Sequence, residues 1–158
     1  MDTSSHTLNQ VDYLLEHLPV MLARQSDQML QEQLGIGLSQ YRILRAIHWH
    51  KEAEQRKLAQ SVGQTEASIS RQIKVLQQKG MVASEVRANE RRKHFVYITP
   101  KGLKVAAAAN DALVQYRLPI FSELNEKETR QLVDALIKLH YLVCQSNKTY
   151  ACDHPLKI

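Results

Sequence analysis

Apolar side chains recur at steps of three and four near the start of the chain: Leu8, Val11, Leu14, Leu15, Leu18, Met21, Leu22, Met29, Leu30 and Leu34. That spacing predicts a helix over Leu8–Gln33. Pro19 lies inside it and removes a backbone donor, so a kink or two successive helices are expected there. A single helix would be about 39 Å long at roughly 1.5 Å per residue. That is more than a small core covers, and such a stripe is often buried by a second chain.

Gly35 and Gly37 end this segment. Ser39 is an N-cap candidate for a helix over Gln40–His50 with Ile43, Leu44 and Ile47 inward. A short helix is expected over Gln55–Val62, a turn at Gly63, and a Thr65-capped helix over Glu66–Lys79 with Ile69, Ile73 and Leu76 inward. Gly80 closes it. The period then changes: Met81–Val86 and Phe95–Ile98 read as strands, joined by a cationic stretch holding Arg87, Arg91, Arg92 and Lys93. Thr99 and Pro100 suit the cap and first position of a helix, which runs to about Leu118 and is interrupted at Pro119. Asn125 and Glu128 form a capping box for a last helix with broad apolar coverage, from Leu132 to Val143. The tail, Ser146–Ile158, is expected to be loose.

The 158 residues, 44% hydrophobic with 5 Gly and 4 Pro, fit a helix-rich globular chain of one domain or two small lobes. No apolar run reaches membrane-spanning length. The polar start, Met1–Gln10, lacks the features of a signal peptide, which predicts a cytoplasmic protein. Charge adds more. Residues 51–104 hold 12 Lys and Arg against 5 Asp and Glu, a net +7, whereas the rest hold 9 against 11, a net −2. A basic central third between near-neutral flanks is the electrostatic footprint of a polyanion binder.

The order helix, Gly turn, capped helix, strand, basic hairpin, strand is that of a winged helix-turn-helix. The fold class expected is therefore mainly α with a small β-hairpin wing, plus a helical dimerisation region. The outer face of the second helix carries Ala67, Ser68, Ser70, Arg71 and Lys74. Short side chains near its start let backbone approach a groove, and Arg71 and Lys74 reach base edges or phosphates. Arg91, Arg92 and Lys93 at the hairpin tip suit the narrow, negative minor groove. Two alternatives use the same residues: a DNA-organising protein of low sequence preference, and a winged-helix protein-interaction module.

The stretch Leu38–Gly102 resembles the MarR (multiple antibiotic resistance regulator) family of bacterial transcription regulators. The resemblance rests on Val62–Val82 and on the wing Glu90-Arg91-Arg92-Lys93-His94-Phe95-Val96-Tyr97-Ile98-Thr99-Pro100-Lys101-Gly102. Glu90 stands where the family usually has Asp, one methylene longer as a brace for the wing. The resemblance implies a homodimer on double-stranded DNA, with 1–35 and 101–158 as dimerisation region and 36–100 as DNA-binding domain. It also implies a pseudo-palindromic operator, repression as the common mode, and a nucleoid-associated location. Carried over by position, Ser68, Ser70 and Arg71 contact bases, Arg92 enters the minor groove, and Ser39, Gln40 and Lys74 meet phosphate.

The family also implies a small aromatic or phenolic effector, expected here near Met21, Arg24, Tyr41, Arg45, His48 and Trp49. The same aromatic positions would serve equally as core. His140 and Cys144, four apart on one helix face, could join Cys152 and His154 in a metal site, or the two cysteines could form a redox pair, but the spacing matches no known zinc signature. No cofactor is expected. Phosphate-cradling Gly loops, His-Glu-x-x-His and nucleophile elbows are all missing from the sequence, so no enzyme is predicted.

Overall fold

The computed structural model describes residues 3–50, 52–86, 88 and 94–146. Its order is α1 (Thr3–Leu34), α2 (Leu38–His50), β1 (Glu52–Glu54), α3 (Gln55–Ser61), α4 (Glu66–Gln78), β2 (Val82–Val86), β3 (His94–Ile98), α5 (Pro100–Phe121) and α6 (Glu126–Ser146). The strands form an antiparallel sheet in the order β1-β3-β2. β2 and β3 pair from Val82 opposite Ile98 to Val86 opposite His94, and β1 adds Ala53 opposite Val96 on the other edge.

The core gathers on α2. Ile43, Leu44 and Ile47 are fully buried with Leu30 of α1, Ile36, Leu58 of α3, Ile69 and Leu76 of α4, and Val96 of β3. These are the inward positions that helical and strand periodicity requires. α5 crosses back over α1 and α2, where Tyr41 Oη donates to Asn110 Oδ1 at 3.2 Å and Arg117 Nη2 donates to Ser26 Oγ at 2.9 Å.

α1 is one helix through Pro19 and not two in succession, and α5 runs through Pro119 to Phe121, past the expected interruption. Each proline removes a single N–H, and the neighbouring turns hold the helix on either side. Ser39 is not the cap of α2, which starts one residue earlier. Asp27 of α1 takes that role across the chain, its Oδ1 accepting from Leu38 N at 2.7 Å. Finally, β1 was not expected. Three residues rich in Glu carry no strand period, and only the edge of β3 makes them a strand.

The β3–α5 junction is tightly specified. Thr99 Oγ1 accepts from Gly102 N at 3.1 Å and donates to Gly80 O at 2.7 Å, while Lys101 Nζ donates to Lys79 O at 2.6 Å. Gly102 has no room for a side chain: a Cβ would collide with the Met81 carbonyl and Ile98. The Thr-Pro-Lys-Gly sequence thus supplies a cap, a helix-compatible φ, a tether and a close approach. The Asn125–Glu128 box forms in both directions, at 2.9 and 3.0 Å.

Candidate nucleic-acid interface

The turn between α3 and α4 is closed by backbone bonds from Gly63 N to Gln60 O and from Gln64 N to Ala59 O. Gly63 holds φ +67°, a left-handed conformation that glycine adopts without penalty. Thr65 then caps α4, accepting from Ser68 N at 3.2 Å. With Ile69, Ile73 and Leu76 turned into the core, the helical period leaves Ala67, Arg71 and Lys74 exposed and Ser68 and Ser70 half-buried beside them. The first-turn Glu66 pairs with Arg56 at 3.5 Å. Both groups are well exposed, so this pair holds little energy.

Two positions behave differently from expectation. Ser39 is half-buried on α2, and its Oγ accepts from Gln64 Nε2 at 2.6 Å. Gln40 is only 9% exposed. It donates to Gln72 Oε1 at 3.1 Å and accepts from Lys79 Nζ at 3.5 Å. With both ends of its amide engaged, Gln40 braces α4 against α2. Gln64 itself went unnoticed in the sequence. It links Ser39 to Ser68, whose Oγ donates to Gln64 Oε1 at 3.0 Å. A Gln in a turn has no periodicity to mark it.

The wing is anchored by the β2–β3 ladder, with Val86 and His94 facing each other at its outer end. Arg87, Glu90, Arg91, Arg92 and Lys93 lie outside the described residues.

Of the expected effector positions, Tyr41, Arg45 and His48 come together and three do not. Two adjoining clefts of about 440 Å³ each lie between α2 and α5. One is lined by Tyr41, Arg42, Arg45, Asn110, Arg117 and Phe121 among others, the next by Tyr41, Arg45, His48, Asn110 and Asp111 among others. Met21, Arg24 and Trp49 line neither; Trp49 is 55% exposed. Tyr41 is buried, with the Arg45 guanidinium 5.7 Å over its ring. Arg117 Nε is buried without a hydrogen-bond partner among the described residues. Arg42 and Arg117 were not foreseen. The Arg42–Arg45 spacing was visible, but the approach of Arg117 depends on how α5 crosses α2.

Among the described residues, no group of three or more His, Cys, Asp or Glu side chains could hold a metal. His140 is half-buried on α6, with its ring edge-on to Tyr141 at 6.0 Å. Cys152, His154 and the Cys144 side chain lie outside the described residues. No described helix is long and apolar enough to cross a membrane.

A Gly-turned helix pair, a capped and cation-bearing second helix and a β2–β3 hairpin define a winged helix-turn-helix protein. Residues 36–94 match the model of the MarR family. It is 34% identical over 70 residues to the transcriptional regulator HosA of Escherichia coli, a match covering 44% of this chain. The chain spans about half, 52%, of that relative's length. The fold is shared with BldR of Sulfolobus solfataricus, a transcriptional regulator (TM-score 0.73, 22% identity, 88% of this chain and 97% of that one). It is also shared with MepR of Staphylococcus aureus in a DNA complex (TM-score 0.70, 22% identity, 83% and 96%).

Proposed function

We propose that the chain is a sequence-specific DNA-binding transcriptional regulator, a homodimer on a pseudo-palindromic operator, with repression as its expected mode. The observation that carries this reading is the outer face of α4. Beside Glu66, which pairs with Arg56, its N-terminal turn offers the short side chains of Ala67 and Ser68, Arg71 and Lys74 stand exposed behind them, and the surrounding third of the chain holds a net +7. Ala67 permits close approach, Ser68, Ser70 and Arg71 face base edges, Lys74 and Ser39 face phosphate, and Arg91, Arg92 and Lys93 flank the site from the wing.

The division into residues 36–100 for DNA and 1–35 with 101–158 for dimerisation is supported by where apolar surface remains. Nearly all large apolar side chains exposed among the described residues lie on α1, α5 and α6; the others are Trp49, Val86 and Tyr97. A surface of that extent points to a partner, and a second copy buries the same stripes by two-fold symmetry. Half-sites should then lie one helical turn apart, about 34–36 Å.

Selection from a random DNA pool tests the reading. An enriched inverted repeat, bound more weakly as salt rises, is expected. Salt-sensitive binding without enrichment favours a DNA-organising role, and no salt-sensitive binding favours a protein-interaction module.

A second feature favours release by a small effector. The cleft between α2 and α5 is of small-molecule size, and Arg42, Arg45 and the unsatisfied Arg117 Nε line it. An aromatic or phenolic carboxylate matches that chemistry. A salicylate-like panel should raise the melting temperature and weaken operator binding; no response across the panel removes this part of the reading.

A further inference from the structure

The proposed function makes Ser68 a base-facing residue; the polar network behind it limits what kind of base it can face. Gln64 is held at both ends. Its backbone N donates to Ala59 O at 3.0 Å, and its Nε2 donates to Ser39 Oγ at 2.6 Å. With the donor end of the amide committed to α2, the acceptor end, Oε1, turns to α4 and takes the Ser68 hydroxyl proton at 3.0 Å.

A serine hydroxyl has one proton and two lone pairs. Once its proton is given to Gln64, Ser68 offers the groove only an acceptor. In the major groove, adenine N6 and cytosine N4 carry donors, whereas guanine O6 and N7 and thymine O4 are acceptors. From this we infer that Ser68 reads amino against keto character: the base facing it is adenine or cytosine, and Gln64 is the positioning residue that sets this preference. The inference rests on the DNA-binding reading above. It assigns a specificity role to Gln64, which would not itself touch DNA. The backbone N of Ser68 is already bonded to Thr65 Oγ1 at 3.2 Å, so it cannot supply the missing donor.

The test is selection from a random double-stranded pool with the parent chain, Ser68→Ala, Gln64→Met and Gln64→Glu. The parent should show one half-site position where adenine and cytosine exceed guanine and thymine about fivefold, the worth of one net hydrogen bond. Ser68→Ala should flatten that position alone. Gln64→Met frees the hydroxyl proton, and guanine or thymine should then rise at the same position. Gln64→Glu still accepts that proton, so the amino preference should persist at lower overall affinity, which also controls for disruption of the turn by methionine. Keto bases enriched by the parent at the position Ser68→Ala flattens would overturn the inference. So would no position being flattened, or a Gln64→Met profile identical to the parent's. A pool in which no sequence is enriched by the parent instead defeats the regulator reading itself.

Discussion

In the proposed dimer, Leu136 sits at the middle of the buried stripe of α6, between Leu132 one turn before and Leu139 one turn after, yet 43% of it is exposed in the single chain. Leu136→Glu is therefore expected to dissociate the dimer without harming the chain that bears it. Leu and Glu have similar helix propensity, and α6 contributes no residue to the core around α2. Burying a whole leucine is worth about 1.5–3 kcal/mol, so burying the exposed part of Leu136 contributes about 1 kcal/mol per subunit. Two-fold symmetry doubles this to about 2 kcal/mol. The glutamate must also enter an apolar seam. Raising a carboxyl pKa from about 4.3 to above 7 costs roughly 3.7 kcal/mol at pH 7, or about 7 kcal/mol for the two copies. The sum, about 9 kcal/mol, is more than six powers of ten in Kd. Sedimentation equilibrium at low micromolar concentration should show the variant as a monomer and the parent as a dimer, with Lys138→Ala, on the opposite face of α6, unchanged. A variant that stays dimeric, or a parent that sediments as a single 18.1 kDa subunit, refutes the interdigitated arrangement.

Other outcomes follow from named contacts. Arg71→Ala should cost about 1–3 kcal/mol of operator affinity by fluorescence anisotropy, with dimer and melting temperature unaltered; full affinity would take Arg71 out of the interface. Arg92→Ala is expected to lose a similar amount, and if it binds operator as the parent does, the wing assignment is wrong. Gly102→Ala drives a Cβ into the Met81 carbonyl and Ile98, so it should lose about 1–3 kcal/mol of stability, or several degrees in Tm. An unchanged Tm would mean the junction yields freely. Lys79→Met deletes the Nζ bonds to Gly35 O at 2.6 Å and Gln40 Oε1 at 3.5 Å. Loss of the charged bond to Gly35 should cost about 1.5–3 kcal/mol, read as a lower midpoint in denaturant, and an unshifted midpoint would show the tether to be dispensable.

Elements that depend on local chemistry were legible in the sequence. Thr65, Thr99 and the Asn125–Glu128 pair cap the helices that begin beside them, because a cap needs only a side-chain oxygen within three residues of free N–H groups. The inward positions of α2 and α4 followed from the 3.6 period. What could not be read is what the tertiary approach decides. Asp27 caps α2 from eleven residues away; β1 is a strand because β3 offers it an edge; and the engagement of Gln40, a phosphate candidate by family position, with Gln72 and Lys79 depends on how α4 packs on α2. The effector positions divide the same way. Tyr41, Arg45 and His48 lie along α2 at helical spacing and stay together, whereas Met21 and Arg24 were placed by analogy and α1 does not bring them to the cleft.

In the proposed regulator, the same contacts would couple the DNA-binding lobe to the terminal helices. The C-terminal end of α4 is held from two sides: Lys79 Nζ grips the Gly35 carbonyl just past α1, and Lys101 of α5 grips the Lys79 carbonyl. Thr99 adds a third tie to Gly80. The two lysine bonds are charged and short, worth about 1.5–3 kcal/mol each, and the neutral Thr99 bond about 0.5–1.5 kcal/mol, so α4 should follow α1 and α5 as they move and not flex independently. Arg117 joins α5 to Ser26 of α1 while also lining the cleft beside Arg42 and Arg45. A carboxylate bound there would compete with Ser26 for the same guanidinium. Any change in that contact acts on the two helices that hold α4. In a two-fold dimer, a small rotation of each lobe changes the separation of the recognition helices twice over, and a site with half-sites one turn apart tolerates little of it.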